Sequence, residues 1–286
     1  MDELYTRISK STKHVLYQYM KDHDISLLNY NFNYFFQHCI QKNQIQVISH
    51  HFSNHKIEGL TVVDELGTSF SYERDNLKVK QNFTLCHELG HLILKHKGNY
   101  FAESIDNQEN LLEREANIFS AVVLMPDIVL LSKIYYSCKT FHQVQNSLEV
   151  SKQALFFRLL DFLREYHSDN DSEIKQAVET YIEGKNASIF HLFHNIKEQI
   201  IEEFHQFQRF LINQVKQRVS KVGFATSIEY PDLLNQDNWK AIKASSINIK
   251  TWLVYNKGKS IAYVWDKEKF SDEEARKKAE LQLLLM

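Results

Sequence analysis

Proline and glycine are scarce, with 2 and 7 among 286 residues. Average usage of about 5% and 7% would supply several times as many breakers. Long uninterrupted helices are therefore favoured, and no Pro/Gly-rich linker marks a domain boundary. Cysteine is scarce as well. Cys39, Cys86 and Cys138 are odd in number and far apart, which excludes a disulfide framework and a C-x-x-C metal knuckle and agrees with a reducing compartment. The opening residues, MDELYTRISKSTKHVLYQYM, lack the apolar core of a signal peptide. No run approaches the roughly 18 apolar residues of a membrane span. A cytoplasmic location without membrane contact is expected. An excess of one charge is also missing. Residues 1–126 carry 12 Lys and Arg against 15 Asp and Glu, and the remainder 22 against 21. Neither half has the basic surplus that attracts nucleic acid on charge alone.

What is present is ample apolar material, 43% of residues, with 24% charged. At roughly 150 residues per domain the length suggests two domains. Residues 5–22 and 29–42 read as helices, with Leu4, Ile8, Val15 and Tyr19, then Phe32, Phe35, Phe36 and Ile40 at helical spacing. Three strand-like runs follow at 44–52, 59–64 and 68–74, the last two joined by a short turn ending in Gly67. A helix is expected at 83–97, stopped by Gly98-Asn99. A polar stretch at 103–109 leads to a helix at 111–125, which Pro126 ends. Two short helices are expected in 141–165 and helical structure in 172–221. Strands are expected at 224–230 and in 251–265, and a last helix opens at Ser271-Asp272-Glu273-Glu274. The fold class is α+β and mostly helical.

Residues 87–91 read His87-Glu88-Leu89-Gly90-His91, an H-E-x-x-H pattern. On a helix the two histidines stand one turn apart on the same side, so both imidazoles reach one metal ion. Glu88, beside them, is the candidate base for a water molecule activated there. Zinc in a hydrolase takes three protein ligands and keeps one position open. The third is expected downstream, and Glu115 is the choice. It lies in the middle of an apolar stripe of Leu111/Leu112, Ile118/Phe119 and Val122/Val123, where a carboxylate needs a compensating partner. Glu113 is off that stripe. Gly90 costs about 1 kcal/mol in a helix relative to Ala, which suggests the close approach of a second helix. A donor for a developing oxyanion is expected too. Tyr100 and His96 are near in sequence, and neither can be assigned. The pattern also occurs on helices by chance, but two histidines and a glutamate amid an apolar helix are poorly explained as packing.

The segments Phe83-Thr84-Leu85-Cys86-His87-Glu88-Leu89-Gly90-His91-Leu92-Ile93-Leu94, Glu113-Arg114-Glu115-Ala116-Asn117-Ile118-Phe119-Ser120 and Leu124-Met125-Pro126 resemble, in this order, the ImmA/IrrE family of metallopeptidase domains. The resemblance is sharpest at 83–126 and covers roughly 44–165. Cys86 and Ser120 stand where alanine is usual. It implies a zincin-like domain with a short mixed sheet packed on helices. It implies Zn²⁺ held by His87, His91 and Glu115, with Glu88 as catalytic base. It further implies a bacterial regulatory protease whose substrate is a helix-turn-helix repressor, in control of mobile elements or stress responses. The expected organisation is N-terminal helices at 1–43, the peptidase domain at 44–168 and a helical region with a small α+β portion at 169–286. That last region matches no known pattern and is a candidate for sensing or for recruiting substrate.

Two other readings compete. Val150-Ser151-Lys152-Gln153-Ala154-Leu155, followed by Arg158, resembles the turn and start of a recognition helix, as in a DNA-binding regulator with a non-catalytic metal site. Only Lys152 and Arg158 are basic there, against Glu149 and Asp161, and phosphate binding normally uses several basic residues on one face. Direct nucleic-acid binding is not expected. The other reading is a protein-interaction module carried by the phenylalanines between 190 and 210, a stripe more often found as core.

Overall fold

The structure, a computed structural model, describes residues 2–51, 57–65, 67–98, 100–104, 110–167, 171–256 and 258–285. It divides into two compact units, Met1–Phe207 and Gln208–Met286.

In the first unit the helices α1 (Glu3–Asp22) and α2 (Phe32–Asn43) precede three strands, β1 (Gln46–His50), β2 (Ile57–Asp64) and β3 (Gly67–Glu73). The helix α3 (Lys78–Ile93) follows, then a fourth strand, β4 (Tyr100–Ser104), and α4 (Leu111–Leu124). The sheet has the order β1-β3-β2-β4. β1 runs parallel to β3 and the other pairs are antiparallel, so it is the short mixed sheet expected. The β2–β3 hairpin closes at Asp64 opposite Gly67, whose φ of +123° suits a residue without Cβ. β4 has no sequence signal: residues 100–102 follow the expected helix stop with no element assigned, and Glu103 and Ser104 fall in the expected polar stretch.

Beyond Pro126 the chain continues through α5 (Asp127–Leu130), a π-helical turn (Leu131–Tyr136), α6 (Phe141–Leu148), α7 (Lys152–Tyr166), α8 (Asp171–Ile182) and α9 (Ala187–Gln206). The stretch Leu111–Tyr136 is long and apolar enough to cross a membrane, but 78% of its most apolar window is buried inside the protein. It is a core element. The aromatic stripe anticipated after 172 is also partly core, with Phe193 fully buried and Phe190, Phe204 and Phe207 packed against the main cluster. For this reason the compact first unit extends to 207. Ile174, Val178, Tyr181, Ile189, Leu192 and Ile196 of α8 and α9 join the same core as the peptidase helices.

A buried ionic cluster ties four helices of this unit together. Lys13 of α1 meets Asp127 of α5 at 2.7 Å, Glu203 of α9 at 3.1 Å and Glu165 of α7 at 3.4 Å. Arg158 of α7 pairs with the other Asp127 oxygen, and donates to the Met125 carbonyl at 3.1 Å and to the Tyr5 hydroxyl at 2.8 Å. Arg158, the candidate base reader of a recognition helix, is thus 1% exposed and fully engaged inside the protein. The α6–α7 turn does have a helix-turn-helix look, with Glu149 in the left-handed region and Ser151 capping α7.

The second unit contains α10 (Leu211–Val222), β5 (Phe224–Thr226), a 3₁₀ turn (Pro231–Leu234), α11 (Gln236–Ala244), β6 (Ile249–Asn256), β7 (Lys259–Asp266) and α12 (Asp272–Leu285). Its sheet has the order β5-β7-β6. Central β7 is buried on both faces, which explains the unbroken run Ile261-Ala262-Tyr263-Val264-Trp265. Ala262 and Val264 join a cluster with Val215, Val219 and Ile242, while Ile261, Tyr263 and Trp265 meet Ala275, Ala279 and Leu283 of α12. The cap of α12 is as expected, with Ser271 and Glu274 bonded reciprocally. The whole chain is therefore α+β and mostly helical.

Candidate metal centre

The helix α3 carries the motif and packs on α4. The two helices come close at Gly90, where an added Cβ would lie 3.1 Å from Phe119 Cδ1 and 3.2 Å from Ala116 Cα. Gly90 lets the two helices approach, as its mid-helix cost implied. On α3, His87 and His91 are both 1% exposed, and their Nε2 atoms lie 3.0 Å apart.

From α4, the side chain that meets them is Glu113. One of its oxygens is 3.0 Å from His87 Nε2 and the other 3.7 Å from His91 Nε2. These three residues form the one group, other than the partly exposed set of His51, Glu73 and Asp75, that brings three possible ligand atoms together among the described residues. Glu115 does not join them. It is buried, as its place on the apolar stripe required, but Arg7 and His96 compensate it. The structure thus brings Glu113, and not the expected Glu115, to the two motif histidines. Burial says that a carboxylate needs a partner; it does not say that the partner is a metal.

The outer ring nitrogens settle which way the histidines point. His87 Nδ1 donates to Asn117 Oδ1 at 2.9 Å, one helical turn beyond Glu113, leaving Nε2 as a lone pair. His91 Nδ1 lies 2.8 Å from His96 Nδ1, and His96 Nε2 lies 2.9 Å from Glu115 Oε2. A carboxylate only accepts, so His96 donates from Nε2; as a neutral ring it then accepts at Nδ1, and His91 donates from Nδ1. Its Nε2 is then also a lone pair. Burial, with His87 and His96 as neighbours, pushes the His91 pKa down to about 3, so the imidazole is neutral at physiological pH. Phe101 of β4 stacks on this ring at 4.5 Å.

Two imidazole lone pairs and a carboxylate turned toward one another repel unless a proton or a metal ion lies among them. The donors also fit one. Ligands about 2.0–2.1 Å from a tetrahedral ion are separated by roughly 3.3 Å, close to the 3.0, 3.0 and 3.7 Å measured here. Two histidines and one glutamate are a familiar zinc set that leaves a fourth position for water.

Glu88 is fully buried, and its Oε2 accepts a hydrogen bond from Thr61 of β2. His96 has both ring nitrogens committed, so it is not the oxyanion donor considered for it; the side chain of Tyr100 lies outside the described part of the structure. His96 reaches His91 because α3 ends earlier than expected. Lys95 turns left-handed at φ 58°, and the amides of His96 and Lys95 donate back to His91 and Leu92 at 3.0 and 3.1 Å. This is a Schellman termination built on lysine instead of the anticipated Gly98. Gly98 serves elsewhere, giving room to Phe101, whose ring would be 2.9 Å from an added Cβ.

Residues 40–160 match the Peptidase_M78 family, described as the IrrE N-terminal-like domain. No curated protein and no solved structure matches the chain.

Proposed function

Residues 40–160 are an IrrE N-terminal-like domain of a metallopeptidase family, and from that premise we propose that the chain is a zinc-dependent endopeptidase acting on a regulatory protein in the cytoplasm. The observation that carries the proposal is the set of three converging lone pairs on His87, His91 and Glu113. Those residues would hold the ion. Bound there, zinc would polarise the scissile carbonyl and bring the pKa of a coordinated water to about 7.

Glu88 supplies the proton traffic. Its carboxylate takes the proton as water adds to the carbonyl carbon, then delivers it to the departing amide nitrogen as the C–N bond breaks. Thr61 holds one carboxylate oxygen in place. A cavity of about 660 Å³ lies next to the centre without being lined by its ligand residues or Glu88; Asn117, which bonds His87, lines it with Phe83, Ile118, Ala121 and Phe157. Its apolar walls suit a substrate segment bearing aliphatic or aromatic side chains.

The substrate class we favour is a helix-turn-helix repressor, on the family resemblance of 83–126. The test compares new protein N-termini in cells expressing wild type or Glu88→Gln. Wild type should generate a terminus inside a DNA-binding repressor, and Glu88→Gln should lower its yield roughly 10²–10⁴-fold while retaining zinc. Identical termini in both, at rest and under stress, would favour a metal-containing binding protein. We also propose that residues 208–286 sense a signal or recruit substrate; cleavage that stays regulated after their deletion argues against it.

A further inference from the structure

We propose that Arg7, Glu115 and His96 form a hydrogen-bonded chain that holds His91 in its Nδ1–H form and so sets the affinity of the centre for its metal. The proposal rests on the metal site described above and assigns these three as positioning residues, none of which touches the ion or the substrate.

The direction of the chain follows from its ends. Arg7 can only donate and the Glu115 carboxylate can only accept, and the two are paired. With Glu115 Oε2 at 2.9 Å, His96 Nε2 must carry the hydrogen; with His96 Nδ1 then a lone pair at 2.8 Å, His91 Nδ1 must carry the next. Each link removes one choice, and the last leaves the His91 Nε2 lone pair turned toward His87 and Glu113. Burial keeps water from offering alternatives, since the side chains of His91, His96 and Glu115 are 1%, 4% and 9% exposed.

The local fold serves this chain. The left-handed turn at Lys95 puts His96 at the position of a Schellman motif that normally makes an apolar contact with the residue His91 occupies. Here that contact is a pair of imidazoles. Arg7 comes from α1, outside the family match at 40–160, so an N-terminal helix foreign to that domain completes the outer sphere of the metal centre. Its 63% exposure makes it the weakest link.

The test is zinc affinity of the full-length protein by chelator competition, with unfolding of the metal-free protein measured in parallel. Outer-sphere partners of a ligating histidine typically alter metal affinity 10–100-fold. His96→Phe keeps the ring volume and should weaken zinc binding in that range. Glu115→Gln should weaken it by about tenfold, because an amide can donate to His96 and reverse every hydrogen in the chain. Glu115→Asp, still acceptor-only, should recover most of the loss. Arg7→Ala should fall between wild type and Glu115→Gln. Long-range ¹H–¹⁵N NMR should place the His91 hydrogen on Nδ1 in wild type. A hydrogen on Nε2, or variants that lower metal-free stability while leaving zinc affinity unchanged, would overturn the inference with the metal site intact. Wild type that binds zinc no better than His87→Ala would overturn the metal site itself, and this inference with it.

Discussion

The first unit holds two buried polar clusters of opposite character. Around Asp127, Lys13 and Arg158 supply two positive charges to carboxylates of Asp127, Glu165 and Glu203, and tyrosines fill remaining positions. Every contact joins a donor to an acceptor. Around His87, acceptor faces acceptor: two imidazole nitrogens and the Glu113 carboxylate converge, with their hydrogens arranged on the far side. The first cluster is complete as folded and holds helices together. The second is arranged as a place that could hold a cation. Buried polarity by itself thus says little about function; the sign of what meets what distinguishes a weld from a site.

That contrast can be broken from either side. The largest effect should come from Asp127→Asn, which leaves Lys13 and Arg158 facing one another in the core. Removing one partner of a buried ion pair costs about 3–5 kcal/mol, to be read from the urea midpoint, while zinc affinity of the folded protein should hardly change. The same group predicts an acid limit. Burial alone would raise the Asp127 pKa, but Lys13 and Arg158 overcome burial and hold it below the usual carboxylate range. Its contribution to stability is therefore full above the unfolded value of about 3.9 and is lost as the pH falls through the lowered folded value. The urea midpoint of wild type should drop below about pH 4, and Asp127→Asn should flatten this part of the curve.

Gly90→Ala should act on the other cluster. Its methyl would press on Phe119 and Ala116, at about 1–3 kcal/mol for overpacking, and by parting α3 from α4 it should weaken zinc binding as well. Unchanged zinc affinity in a destabilised protein would mean that the spacing of those helices does not control the site. The smallest effect is expected from Lys95→Gly. Relief of a left-handed side chain, about 1 kcal/mol, is largely offset by the entropy of glycine, about 0.5–1 kcal/mol. Stability and zinc affinity should both stay near wild type, because the turn that brings His96 to His91 persists.

Much of this was legible in the residues. The spacing of His87 and His91, the close approach at Gly90, the β2–β3 hairpin and the cap at Ser271 all follow from local rules, since each involves neighbours within a few positions. What is not legible has a common cause. Glu115 was chosen over Glu113 from burial, a property of one helix, when the choice depended on what stood opposite: His96 and Arg7 for one, the two motif histidines for the other. β4 escaped because an edge strand is defined by its partner β2. Arg158 belongs to a competing recognition-helix reading that the local charge already disfavours, and its bonds to Asp127 and Tyr5 place it in the core.

The sequence by itself therefore determined the helical periods, the metal-binding motif and the kind of chemistry two histidines and a glutamate on one helix can support. These depend on backbone geometry that repeats every few residues. Which second carboxylate meets the two histidines, which histidine bonds which, and how far the first unit runs were decided by tertiary structure alone. They depend on distances of about 3 Å between side chains up to 108 positions apart in the chain, as for Arg7 and Glu115, and no local rule carries that information.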